Sequence, residues 1–436
     1  MLSKFYSIKI NFLTFIKFLL YAFPFFMLMS SSYITAHVTI FTISALIFFY
    51  YSDVKIKLDL IDYLIFYFFL LSLFSTLINV ETLGYFLFVK SILNLRFVLF
   101  FFAIRTLLKF KLVSFKTLAF TTLIASSFLS LDIIYQHLYG HDLFGYEPFD
   151  GRYNGIFEHE AIAGGYIQKF FLISLLYVIL SNINYKFIFI TFFINISGVG
   201  ILLSLDRMPF LIYLFILIIL IILIKKYRFI FLINFFAIIL TFILLFKNYD
   251  PINKRYYSLK KEINFSKLLF FLNKEQNQNT QLNIKNENKL LVGDYNKIYK
   301  TAYYLWSEKP FIGSGSRSFS IECNKISIKK NLTCSTHPHN IYFEIIISQG
   351  LLGLIIFIIF IILLIRNIIK TLSIKKNKNE RIITLVLFTI LISELWPLRT
   401  YGSIFQTVNG TMFWFLISLI GSIKFLFKNN LSSLNR

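Results

Sequence analysis

An all-α, polytopic membrane fold is what this sequence predicts, on three observations. The 436 residues are 57% hydrophobic and 19% aromatic, and mean hydropathy is +0.71. That is more apolar material than a soluble domain of this length carries. The apolar residues fall in runs long enough to cross a bilayer, and Lys and Arg gather at every second connection between the runs.

Reading runs of roughly 20 apolar residues gives about twelve spans. They lie near 11–31, 35–51, 60–79, 84–104, 115–137, 161–181, 186–204, 208–224, 229–246, 341–365, 382–397 and 408–427. No small-residue cleavage site follows the first run, so it reads as a retained anchor helix and not a removed leader. The spans divide the chain into nine transmembrane helices over 1–246, a large loop domain over 247–340 and three further helices over 341–436.

Orientation follows from the basic connections: Lys4 and Lys9; Lys55 and Lys57; Arg105, Lys109, Lys111 and Lys116; Lys186; Lys225, Lys226 and Arg228; Arg366 to Arg381; Lys424, Lys428 and Arg436. Basic connections stay on the cytoplasmic side, so both termini are expected there, in a multi-pass membrane protein. This rule and a general Ile/Asn/Lys/Phe bias account for much of the formal charge of +23. The remainder lies in the basic segment 247–335, which the span count places outside; long loops translocate regardless of charge. There the charge points to anionic lipid-linked or phosphorylated substrates and membrane lipids, not to nucleic acid.

Four outward connections carry more than a turn: 138–160, the tight turn Ser204 to Pro209, the segment 247–340, and Glu394 to Gly402. Parity puts all four on one side. Within the long loop, 272–290 is polar and low in complexity and reads as a flexible insert. Ile298, Tyr299, Ala302, Tyr303, Leu305 and Trp306 instead form a helical apolar stripe, broken by Pro310 and Gly313. This predicts a small helical cap over the membrane core. Cys323 and Cys334, the only cysteines, both fall in this loop. A disulfide is expected in an oxidising compartment, with two unpaired thiols as the alternative. Metal binding with His337 and His339 lacks a standard ligand spacing, and no metal or other cofactor is expected.

The candidate chemistry centres on Thr336-His337-Pro338-His339-Asn340, just ahead of an apolar run. A neutral imidazole at the edge of the bilayer can take a proton from an attacking hydroxyl, so His339 is the candidate base. Asn340 is a plausible N-cap, and Asn340 and His337 are both candidates for binding substrate. Gly350 and Gly353 fall inside the following run and are expected to allow close helix packing. Arg207, in a tight turn between two spans, offers a planar fork suited to phosphate; a snorkelling or Asp206-paired anchor is its bland counterpart. Lys90 and Arg96 lie within the fourth span, where charge is expensive and faces the bundle interior or a wet cavity. Arg152 and Asn154 are candidates for holding sugar or phosphate. Lys297 and Arg317 belong to the basic loop, and Glu158, His159 and Arg399 are weaker candidates. There is no Asp-x-Asp pair and no phosphate-binding Gly-rich loop in the sequence, which disfavours nucleotide-sugar or ATP-driven chemistry.

His339-Asn340, nine residues, then Gly350-x-x-Gly353 resembles the signature of bacterial O-antigen ligases. The Gly155-Ile156-Phe157 segment is similar to that family's Gly-x-Phe stretch, and Ser204-x-x-Arg207 to its Ser-Arg turn. Ile298 to Ala302 followed by Pro310-x-x-Gly313-x-Gly315 looks like its periplasmic helix and turn. The family's second arginine, in that helix, is absent here; Lys297 is the nearest cation, with Arg317 or Arg255 as other substitutes. The resemblance implies a GT-C-like glycosyltransferase with about twelve transmembrane helices and one large, partly helical periplasmic loop. The donor it implies is a glycan on undecaprenyl pyrophosphate, and the acceptor a sugar hydroxyl of lipid A–core. His339 would act as base, Arg207 with Lys90 and a loop cation on the leaving group, in one inverting, metal-independent step. The rival readings are an O-antigen polymerase and a protein O-oligosaccharyltransferase. From another class, a lipid-linked glycan transporter should show pseudo-symmetric halves and broken helices, and neither is visible in the sequence.

Overall fold

The computed structural model describes residues 2–52, 54, 56–262, 294–330, 334–374 and 377–426. The polar insert read at 272–290 lies outside them. The described residues form α1 (Leu2–Phe26), α2 (Ser31–Tyr51), α3 (Leu60–Ile78), α4 (Val80–Leu83), α5 (Tyr85–Lys109), α6 (Phe115–Tyr139), α7 (Ala163–Leu180), α8 (Lys186–Leu203), α9 (Arg207–Leu223) and α10 (Arg228–Asn248). Then follow α11 (Asp250–Glu262), α12 (Asp294–Glu308), α13 (Phe319–Lys330), α14 (Ile341–Ser373), α15 (Lys378–Glu394) and α16 (Thr407–Gly421).

Each of the twelve apolar runs corresponds to a helix. Among the described residues, eight helices are long and apolar enough to cross a membrane, and three shorter apolar helices accompany them, at Ile10–Phe26, Arg207–Leu223 and Thr407–Gly421. The run read at 382–397 is the 17-residue α15, which is not among these. The chain is an all-α polytopic membrane protein.

Local sequence sets where helices begin and end. Asp59 caps α3 in a reciprocal box with Asp62, satisfying amides the helix leaves open. Gly140 ends α6 in the left-handed conformation, which glycine adopts without a Cβ penalty. Burial separates central from peripheral helices: α7 is 83% buried over its apolar window, whereas the segment containing α10 is 17% buried. An apolar helix so exposed is one that faces lipid. The interior is aromatic: Trp414 packs on Phe69 and Phe413 at centroid distances of 5.1 and 4.9 Å, and Phe23 stacks on Phe415 at 4.4 Å. Such pairs add about 0.5–1.5 kcal/mol each beyond the area they bury.

The stripe read on α12 buries Ile298, Ala302 and Leu305 against Phe319, Cys323 and Ile347, while Tyr303 stays exposed. Cys323 and Cys334 form a disulfide. The connection between α12 and α13 does not merely lie over the bundle; it enters it. Helix α14 is interrupted at Gly350, whose φ of 63° and ψ of −161° are non-helical. The turn Pro310–Gly315 fills the interruption. Ser314 and Gly315 donate backbone N–H to Ile347 O and Ser348 O, and Leu351 and Leu352 donate to Pro310 O and Phe311 O. The amides and carbonyls freed by the break are thereby satisfied inside protein, which an apolar surrounding demands. A Cβ at Gly350 would fall 2.3 Å from Phe311 C. Gly350 does allow close packing, on the backbone of Phe311 and at a break in the helix. Gly353 does pack closely, but on Gln349 of its own helix. The other side of the turn is held by α3 and α5, where Ser316 N donates to Thr76 Oγ1 and Asn94 Nδ2 to Ser316 Oγ.

Candidate active site

The four connections that parity assigned to one side meet in a single cavity of about 470 Å³. Binding sites for small molecules span about 300–1,000 Å³. Arg152 comes from the first connection, Asp206 and Arg207 from the second, Arg255, His337 and His339 from the third, and Arg399, Thr400 and Tyr401 from the fourth. Lys169 of α7 completes the cations. Among the described residues, five cationic residues and two histidines thus line the cavity with one carboxylate, that of Asp206. A wall of this composition favours an anionic ligand.

Each side chain is placed by a traceable device. The connection after α6 is tied back to that helix: Asp132 accepts from Leu143 N and Ile156 N, and Gln136 Oε1 from Gly155 N. This fixes the short bridge Phe149–Arg152, from which Arg152 reaches Asp206 at 3.5 Å. Asp206 also accepts from Gly164 N at 3.0 Å, joining the start of α7 to the turn that opens α9. Gly164 is required there, since a Cβ would lie 2.4 Å from Ser204 Oγ. Burial raises the Asp206 carboxyl to about 6, against the pull of Arg152 and the Gly164 amide. Arg207 follows as the first residue of α9. Arg255, on α11, stands within electrostatic range of Asp206.

His339 has φ +54°, a left-handed conformation uncommon for residues with a side chain. The carbonyl of His339 accepts from Tyr401 N at 2.9 Å, and its Nε2 lies 2.9 Å from Ser335 Oγ. The rings of His337 and His339 are 4.1 Å apart, centroid to centroid. Burial lowers the pKa of both. For His337 it falls to about 4, with proximity to His339 and Arg317 adding to burial. Two adjacent neutral imidazoles result, and a neutral ring is the form that accepts a proton.

The remaining predicted residues lie elsewhere. Asn340 is the N-cap of α14: its Oδ1 accepts from Tyr342 N and Phe343 N, and its Nδ2 donates to Pro397 O. Asn154 is buried and donates to Glu158 O. Neither lines the cavity, nor do Glu158 and His159, whose ring packs on Phe149. Lys297 is exposed on α12. Arg96 donates to Thr35 and Thr407, and Lys90 sits 4.0 Å over the Phe86 ring. Both are in electrostatic range of Arg317. Arg317 lines a separate small pocket with Glu344, Ser403 and His337. His337 therefore faces both spaces.

Three features escaped the sequence reading. Lys169 interrupts the sixth apolar run, the same signal that singled out Lys90 and Arg96. Glu344 lies one turn into α14, buried, and accepts from Ile404 N at 2.9 Å. The α14 break was signalled only by Gly350 itself.

Residues 187–358 match a family model described as O-antigen ligase. This match supports an O-antigen ligase family member. It supports O-antigen ligase or polymerase-type function in general. The matched segment runs from α8 into α14 and contains Arg207, Arg255, His337 and His339; Arg152, Lys169 and Arg399 lie outside it. No curated protein matches the chain.

Proposed function

We propose that the protein is an O-antigen ligase. In this reading it transfers a glycan from undecaprenyl pyrophosphate to a sugar hydroxyl of lipid A–core, on the periplasmic face of the bacterial inner membrane. The observation that carries it is the meeting of a neutral histidine pair with five cationic residues in one cavity. His339 takes the proton of the acceptor hydroxyl. The hydroxyl oxygen attacks the anomeric carbon as the bond from that carbon to the pyrophosphate oxygen breaks, inverting the centre. The leaving group departs with the electron pair, and Arg207, with Arg152 and Arg255 around it, neutralises the charge that develops. Placing cations where charge appears is worth several kcal/mol to such a step. Arg255 takes the part that the resemblance gave to an arginine of the periplasmic helix, since it lines the cavity and Lys297 does not.

A polymerase would run the same chemistry on a growing glycan. Deletion of the gene followed by lipopolysaccharide gels separates the two. Loss of all capping glycan with accumulation of lipid-linked polymer supports the ligase; core carrying one repeat unit supports the polymerase and sinks the ligase reading. The broken α14 favours a transporter less than broken helices usually do, because the gap is occupied by the chain's own backbone.

A further inference from the structure

Lys169 is the least explained charge in the molecule. It lies on the most buried of the candidate spans, α7, and is 5% exposed. Among the described residues its Nζ has no hydrogen-bond partner. The neighbouring carboxylate, Glu394, is already engaged: Oε1 accepts from Arg399 at 2.8 Å and Oε2 from the Tyr401 hydroxyl at 2.6 Å. Arg399 is further held by Gln168 Oε1 and Ser393 O. What remains to Lys169 is the face of Tyr401, 4.6 Å from Nζ to the ring centroid. A cation–π contact offsets only part of the cost of burying an ammonium, and an ionisable residue kept at that cost inside a membrane bundle marks a functional position. Lys169 also lines the cavity, one helical turn below Gly165.

We propose that Lys169 is an anion-binding residue at the inner end of the cavity, donating to a phosphoryl oxygen of the lipid-linked donor's pyrophosphate, with Tyr401 as its positioning residue. This rests on the functional reading above for the identity of the donor. Tyr401 suits the role because it touches both halves of the site. Its ring lies under the Lys169 ammonium, its hydroxyl is anchored on Glu394, and its backbone N–H holds the carbonyl of His339. One residue thereby sets the spacing between the base and Lys169, one of several cations that would meet the leaving group.

The test uses the full chain in proteoliposomes, with inorganic pyrophosphate as probe, and compares wild type with Lys169→Met and Lys169→Arg. Pyrophosphate should raise the thermal midpoint of wild type and inhibit transfer competitively with the lipid-linked donor. Lys169→Met should fold, since it replaces a charge whose Nζ has no hydrogen-bond partner among the described residues by an apolar chain of similar length. It should weaken pyrophosphate about ten- to a hundredfold, as loss of a hydrogen bond to a charged group does, and raise the donor KM without moving the acceptor KM. Lys169→Arg should recover part of the binding. Pyrophosphate that stabilises wild type and Lys169→Met equally, or that stabilises neither, overturns the proposal. If no glycan is transferred yet stabilisation still depends on Lys169, the anion site stands and the ligase reading falls. Should transfer proceed with Lys169-independent pyrophosphate binding, the reverse holds.

Discussion

Cations are placed differently in the cavity and at the start of α3. At its first residues Arg105, 3% exposed, is met by Asp59 at 2.9 Å and by Asp62. Those carboxylates also cap the helix, so the cation, the caps and the helix start form one neutralised joint. The cavity, to which α3 contributes no described residue, is the other case. There, among the described residues, five cationic residues share one lining carboxylate. The same residue types are matched in the joint, where they hold helices together, and outnumber their acids in the cavity, whose wall suits an anionic ligand.

That contrast can be broken by mutation. The largest effect is expected for His339→Ala, which should reduce transfer about 10²–10⁴-fold, the usual contribution of a positioned base. Insertion and thermal stability should be retained; a variant that transfers at the wild-type rate in proteoliposomes removes His339 from the chemistry. Arg207→Ala should cost about 10²–10³-fold in kcat, with Arg207→Lys intermediate because lysine lacks the bidentate fork. Wild-type activity in Arg207→Lys would leave only point charge to matter, and wild-type activity in Arg207→Ala would remove Arg207 from the chemistry.

Arg105→Met tests the joint. Removing one partner of a buried ion pair costs about 3–5 kcal/mol, so the thermal midpoint should fall while the folded fraction transfers normally. A specific loss of kcat without loss of stability would erase the distinction between joint and cavity. Cys323→Ser with Cys334→Ser should be milder: closing a loop of sequence separation 11 stabilises by about 3 kcal/mol, and the loss should be read as earlier thermal unfolding. The pH profile gives the smallest effect. Burial lowers His339, so its neutral, active form persists as pH falls and is lost only through that lowered pKa. The acidic limb should lie below the ordinary histidine value of about 6.5 and vanish in His339→Ala. An acidic limb above that value would contradict the buried, neutral base.

Much of this was legible along the chain. Apolar runs and alternating charge are local properties, so the helices could be read from composition alone. Arg152, Arg207, His337 and His339 could be singled out because charge or imidazole beside an apolar run is costly wherever the chain goes. The roles of Asn154 and Asn340 were not separable from binding in the sequence, because an amide that caps a helix and one that holds a sugar look alike until its partners are known.

Sequence by itself therefore determined the helices, their order and a short roster of polar groups that an apolar environment makes expensive. Tertiary structure decided which of them meet. Arg96 and Arg317 stand apart from the cavity, while Lys169, Arg255 and Arg399 enter it from distant parts of the chain. Only the folded chain shows that a turn near residue 313 repairs a helix broken at Gly350, because hydrogen bonds between segments far apart in sequence leave no periodic trace in either. The physical reason is common to all these cases. Burial cost belongs to a residue and can be read from its type, but partnership belongs to a pair and exists only in three dimensions.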